Sequence, residues 1–190
     1  MNDGWPSPAW QAVDDAAAAG LPADLRPWIT LSTSMTARLR ASVRSQVRVE
    51  LVRHGPGTLH GDERGCFEGA AAQGHVREVC LHGAGRPLLA ARTVHVSARL
   101  AQAPGFAGLG TRPLGELLFG DGVQACWSRR EFSRLAAPSP LWPLVQRFAA
   151  GPQSRCWARR SVFWLLGEPL LVTEIFLPPV PDFMPEEAHR

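Results

Sequence analysis

At 190 residues, 45% of them apolar, the chain has the length of one domain with a core of ordinary size. Its formal charge is +3, and all 20 of its Lys-or-Arg positions are Arg; there is no Lys and no Tyr. Without Lys there is no Schiff base, no pyridoxal phosphate anchor and no P-loop, and no apolar run reaches the ~18 residues of a membrane span.

In chain order, "MNDGWPSPAW" has acid and Pro where a signal peptide needs a basic flank, so a cytoplasmic protein is expected. Ser7 as cap, Pro8 in the first turn and Gly20 as stop predict a helix over "SPAWQAVDDAAAAG", within a helical extension spanning residues 1–24. "LPADLRPWITL" reads as a short second helix or an irregular segment, and "STSMTARLR" as a brief third. The period then drops to two. "QVRVELVRHGPG" is a strand, "LHGDERGCFEGAAAQG" a loop, and "HVREVCL" with "PLLAARTVHV" a hairpin about "HGAGR". "SARLAQAPGFAGLGTRPLGELLFGDG" is helical, "CWSRREFSRL" a fifth strand, and "AAPSPLWPLVQRFAAGPQS" Pro-rich before a short helix. "WARRSVFWLL" and "LLVTEIFLP" form a last hairpin through a Gly-containing turn, and residues 179–190 are a loosely held tail. The whole predicts a single α+β domain with a six-stranded antiparallel sheet.

The four cysteines form no CxxC pair and the six histidines no HExxH, so reduced thiols and no metal site are expected. No GxSxG occurs, and "GLGTRPLG" lacks the spacing of a dinucleotide loop. The unusual residues are charges on apolar strands. Alternate strand residues share a face, so Glu174 points with Leu170, Val172 and Phe176, while the opposite face offers Leu171, Thr173, Ile175 and Leu177. Arg92 shares its face with Ala90, Val94 and Val96, and Arg77 with Val79 and Leu81. Of the adjacent Arg159 and Arg160 only one can face inward, leaving the other as a surface charge. An unpaired buried ion costs several kcal/mol, so two readings stay open: an internal Arg–Glu pair, or contact with a ligand.

Four stretches taken together resemble the chorismate pyruvate-lyase family: "TSMTARLR" (33–40), "VREVCL" with "LLAARTV" (76–94), "LGTRPLGELLF" (109–119) and "WARRSVFWLLGEPLLVTEIFLP" (157–178). The resemblance implies a monomer whose six-stranded sheet and helices enclose a ligand cavity. It also implies conversion of chorismate into 4-hydroxybenzoate and pyruvate, the start of ubiquinone synthesis, without metal or organic cofactor. Carried over by position, the ligand contacts fall on Met35, Arg77, Leu114 and Glu174. Arg77 and the Met35 backbone would hold the ring carboxylate, and Glu174 would meet the ring hydroxyl. Arg92 or one of the adjacent arginines of "WARRS", Arg159 or Arg160 and the latter foremost, is the expected support for the enolpyruvyl carboxylate. Departures from the family's pattern are "ARTVHV" in place of "GRTVVP", a long Pro-rich stretch from Ala136 to Ser154, and the bare "HGDERGCFEGAAAQG"; these bear on covering loops and product release.

The chemistry suits such residues. Breaking the ether C–O bond and removing the neighbouring ring proton makes an aromatic ring, so the protein need only fix conformation, match charge and exclude water. The expected partner is a small molecule, with no nucleic acid and no membrane insertion. A non-catalytic aromatic-acid sensor of the same fold is the alternative.

Overall fold

A computed structural model gives the fold, and it describes residues 8–43, 45–67, 72–120, 126–151 and 155–178. Among these residues seven strands form one antiparallel sheet: β1 (Gln11–Ala12), β2 (Arg48–Thr58), β3 (Gln73–Gly83), β4 (Arg86–His95), β5 (Cys126–Ala136), β6 (Arg155–Leu165) and β7 (Glu168–Phe176). Their order across the sheet is β1-β5-β6-β7-β4-β3-β2. The α+β antiparallel architecture is the one expected, with seven strands in place of six. The extra strand is β1, whose two residues pair with Phe132 and Glu131 of β5 and are too few to show any period.

Among the described residues there are eight helices: α1 (Asp15–Ala19), α2 (Arg26–Ile29), α3 (Met35–Val43), α4 (Gly61–Arg64), α5 (Ala98–Gln102), α6 (Pro104–Ala107), α7 (Leu114–Phe119) and α8 (Trp142–Phe148). The first helix is shorter than predicted. Its cap is Asp14, whose Oδ1 accepts from Ala17 N at 2.7 Å, while Ser7 lies outside the described residues. Trp10 extends away from a helical path because its indole N–H donates to Asp62 Oδ2 at 2.7 Å. The stretch read as a featureless loop contains α4, started by a capping box in which Glu63 Oε2 accepts from His60 N at 2.7 Å. The predicted tail lies outside the described residues. No helix among the described residues is long and apolar enough to cross a membrane.

Both predicted hairpins form. Their two-residue turns, Ala84–Gly85 and Leu166–Gly167, have positive φ at both positions, the twist that matches antiparallel strands. Between them, β4 and β7 pair although far apart in sequence, setting Ala91 opposite Glu174. One face of the sheet carries Val79, Leu89, Ala91, Phe132 and Phe176 against α2 and α3, and Phe163, Leu170 and Val172 against the α5–α7 region. The other carries Cys80, Ala90, Leu135, Ala158 and Ile175 against α8. The sheet is therefore covered on both sides. The four cysteines are free.

Candidate functional site

On the first of these faces, between the sheet and helices α3 and α7, lies a pocket lined by Met35, Arg77, Ala91, Leu114, Arg159 and Glu174 among others. The space between its walls, mouth included, is about 570 Å³. Gly115 allows the two helices to meet: a Cβ there would lie 2.8 Å from Ser34 Oγ, at the start of α3. That close approach brings Leu114 and Met35 to the same wall.

The register explains which strand residues arrive. Arg77 stands opposite Thr93, and Glu174 stands between Ala91 on one side and Arg159 on the other. Arg159 donates from Nε to Glu174 Oε2 at 2.5 Å and from Nη1 to the carbonyls of Trp28 and Leu31, each at 2.9 Å. Glu174 is thus not isolated in hydrocarbon; its partner is the arginine directly across the hairpin. Arg77 differs. It is 2% exposed, donates from Nη2 to the carbonyls of Gly110 and Arg112 at 3.0 and 2.9 Å, and has no carboxylate partner among the described residues. Its buried Nε has no hydrogen-bond partner. Burial pushes this guanidinium down to about 10, which leaves it charged at neutral pH.

Five of the seven residues singled out from the sequence, Met35, Arg77, Leu114, Arg159 and Glu174, are brought together here. Arg92 and Arg160 are not. Glu78, not Arg77, stands opposite Arg92, so Arg92 projects from the reverse face. There Glu63 clasps it through both oxygens at 2.6 and 3.0 Å, and Glu78 adds a contact of 2.7 Å. Burial pulls Arg92 down, but Glu63 and Glu78 more than offset it and hold it above its ordinary value. Arg160 also faces the rear, bonded to Glu131 at 2.6 Å and Asp62 at 2.8 Å, with its guanidinium 4.3 Å from the Trp10 ring. The expectation that one of the adjacent arginines is solvated fails: Arg159 is 2% and Arg160 5% exposed, each paired on its own face. Both faces are covered by helices, so neither side chain reaches water.

Arg159 was legible. From the Leu166–Gly167 turn, six steps back along β6 and six forward along β7 lead from the Leu165–Glu168 pair to Arg159 and Glu174. Arg130 gave no such signal. It lies on β5, 7% exposed, donating from Nε to Ser161 Oγ at 3.0 Å and from Nη1 to Leu31 O. Ala91, the small residue where the resembling pattern has Gly, is a wall of the pocket and not part of a covering loop. Among the described residues no cluster of His, Cys, Asp and Glu is arranged to hold a metal.

The sequence profile of the family described as Chorismate lyase matches residues 7–184. The chain belongs to the chorismate lyase family. A "Probable chorismate pyruvate-lyase" of Thiobacillus denitrificans is 39% identical over 183 residues, covering 94% of this chain and 90% of that protein. One of the same name from Dechloromonas aromatica is 42% identical over 162 residues, covering 82% and 88%. Among solved structures, the effector domain of PhnF from Mycobacterium smegmatis aligns with a TM-score of 0.56 at 13% identity, covering 77% of this chain and 89% of that one. The C-terminal domain of the histidine utilization repressor of Pseudomonas syringae aligns at 0.52 and 11% identity, covering 76% and 99%. The chain thus shares its fold with these two domains.

Proposed function

We propose that this protein is a chorismate pyruvate-lyase that forms 4-hydroxybenzoate and pyruvate, supplying the first step towards ubiquinone. The observation that carries this reading is a charge imbalance across one sheet. The rear face sets buried Arg92 and Arg160 against Glu63, Glu78, Glu131 and Asp62, so each cation meets two carboxylates. Among the described residues, the pocket face sets Arg77, Arg130 and Arg159 against Glu174, three positive charges against one negative. Uncompensated buried cations call for an anion from outside, and chorismate is a dianion.

In this reading Arg77 forks onto the ring carboxylate beside the Met35 backbone, with Leu114 closing the wall. Arg159, and not Arg92 or Arg160, faces the enolpyruvyl carboxylate. Glu174 lies at the other end and orients the ring hydroxyl while assisting removal of the proton from the carbon that bears it. The electron pair of that C–H bond enters the ring as the ether C–O bond breaks. The departing enolpyruvate takes a proton at its methylene carbon and becomes pyruvate. Aromatisation drives the step, so we propose that no metal or organic cofactor takes part.

Pure, chelator-treated protein incubated with chorismate should release 4-hydroxybenzoate and pyruvate in equal amounts. Binding of 4-hydroxybenzoate without pyruvate release would instead establish the rival reading, a non-catalytic aromatic-acid sensor. Arg77→Ala should weaken 4-hydroxybenzoate binding roughly a hundredfold, the loss expected for a charge-assisted pair worth about 3 kcal/mol; unchanged affinity in calorimetry would remove that contact. We also propose a cytoplasmic monomer. The outer strand β2 carries Arg48, Arg53, Pro56 and a register shift between Leu51 and Arg53, features that discourage edge-to-edge pairing. Light scattering should return the 20.7 kDa of one chain, and a dimer mass would refute this.

A further inference from the structure

We propose that Arg130 determines specificity for a dianionic over a monoanionic ligand, acting through Arg159 and the Leu31 carbonyl as a positioning residue that also supplies the pocket's second uncompensated charge. The inference rests on the functional reading above and extends it to a residue outside the pocket lining.

Three observations lead there. First, Arg130 is buried and its hydrogen-bond acceptors are neutral: Ser161 Oγ at 3.0 Å and Leu31 O. The Trp127 ring, 4.1 Å from its guanidinium carbon, packs against it as well. Among the described residues, every other buried arginine except Arg77 has a carboxylate within 2.6 Å. Second, Arg130 and Arg159 donate to the same oxygen, Leu31 O, so two like charges are held side by side, and of the two only Arg159 pairs with the carboxylate of Glu174. Burial, followed by the charge of Arg159, pushes Arg130 down to about 10, against the pull of Glu174. Third, Leu31 leads directly into Thr33 and Met35, which are pocket walls. Fixing that carbonyl fixes the wall.

The arithmetic then separates ligands by charge. The group of Arg130, Arg159 and Glu174 carries one net positive charge, and Arg77 carries another. A monoanion such as 4-hydroxybenzoate, held by Arg77, leaves the first uncompensated. A dianion with a second carboxylate near Arg159 satisfies both. The Arg130 charge therefore acts on the substrate's second carboxylate and hardly at all on the product, which favours exchange of product for substrate.

The test compares 4-hydroxybenzoate with 3-(carboxymethoxy)-4-hydroxybenzoate, a non-reacting probe that differs only by a second carboxylate arm. Calorimetry on the full chain would measure both, in the wild type and in Arg130→Gln and Arg130→Met, with KM and kcat for chorismate alongside. Gln keeps a donor for Leu31 O without the charge; Met removes both. Each variant should bind the dicarboxylate at least tenfold more weakly and 4-hydroxybenzoate less than threefold more weakly, with the chorismate KM rising more than kcat falls. Equal loss for both ligands would reduce Arg130 to a structural prop, and no loss for either would remove it altogether. Should Arg130→Met not fold, Arg130→Gln alone decides by the same ratio. Binding does not depend on turnover: discrimination in a wild type that fails to convert chorismate would overturn the lyase reading only. Turnover with no discrimination would overturn this one only.

Discussion

Arg77 and Arg92 sit on neighbouring strands and are buried alike, 2% and 3% exposed, yet only Arg92 ends on carboxylates. The difference between a structural and a ligand-seeking arginine is thus written in the partners, not in burial. We propose that Glu174 also meets a ligand even though it has a partner. Arg159 engages Oε2, and among the described residues nothing is bonded to Oε1, so one oxygen remains for a ligand. Glu174→Gln keeps the shape, removes the proton acceptor and leaves Arg159 without its carboxylate. Turnover of chorismate, followed by pyruvate release, should fall by roughly a hundredfold or more. Near-normal turnover would eliminate Glu174 from proton transfer.

At the level of elements, β6 shows how a sheet covered on both sides sorts adjacent charges. Arg159 goes forward to Glu174 and Arg160 goes back to Glu131 and Asp62, because alternation sends neighbours to opposite faces. The rear network ties α4 to the sheet: Glu63 of α4 clasps Arg92 of β4, and Asp62 reaches Arg160 and Trp10. Arg92→Ala would strand Glu63, itself 2% exposed, without its cation. Urea unfolding should show a loss of about 3–5 kcal/mol, the cost of breaking a buried pair from one side. Affinity for 4-hydroxybenzoate, which we propose binds on the other face, should survive; a loss matching that of Arg77→Ala would return Arg92 to the proposed binding site. Much of this layer was hidden in the sequence because Glu63 lies in a stretch with no period, marked only by a capping residue three positions earlier.

For the molecule as a whole, buried His95 makes stability depend on pH. His95 is fully buried, stacked on His75 at 5.2 Å and edge-on to Phe106 of α6 at 4.9 Å, while His54 meets Phe106 from β2 at 5.4 Å. Burial, then the charge of His75, pushes His95 down to about 4, with Ser97 opposing and His54 reinforcing the shift. Between pH 6.5 and 4 the unfolded chain therefore binds a proton that the native one refuses, and stability falls as pH falls through that window. The shift corresponds to at most about 3 kcal/mol. Melting temperature should drop from pH 7 to 4.5 in the wild type and distinctly less in His95→Leu. An unchanged slope in the variant would acquit His95.

The sequence alone determined the strand periods, both hairpins, and the presence of Arg77 and Glu174 as charges that apolar strands do not tolerate unpartnered. It did so because alternation and turn chemistry are local. The pairing of β4 with β7, the face on which Arg92 and Arg160 emerge, and the meeting of Arg130 with Arg159 at Leu31 O were decided only by the folded chain. Alternation tells which residues share a side but not which side faces the pocket, and long-range register has no signature within a single strand.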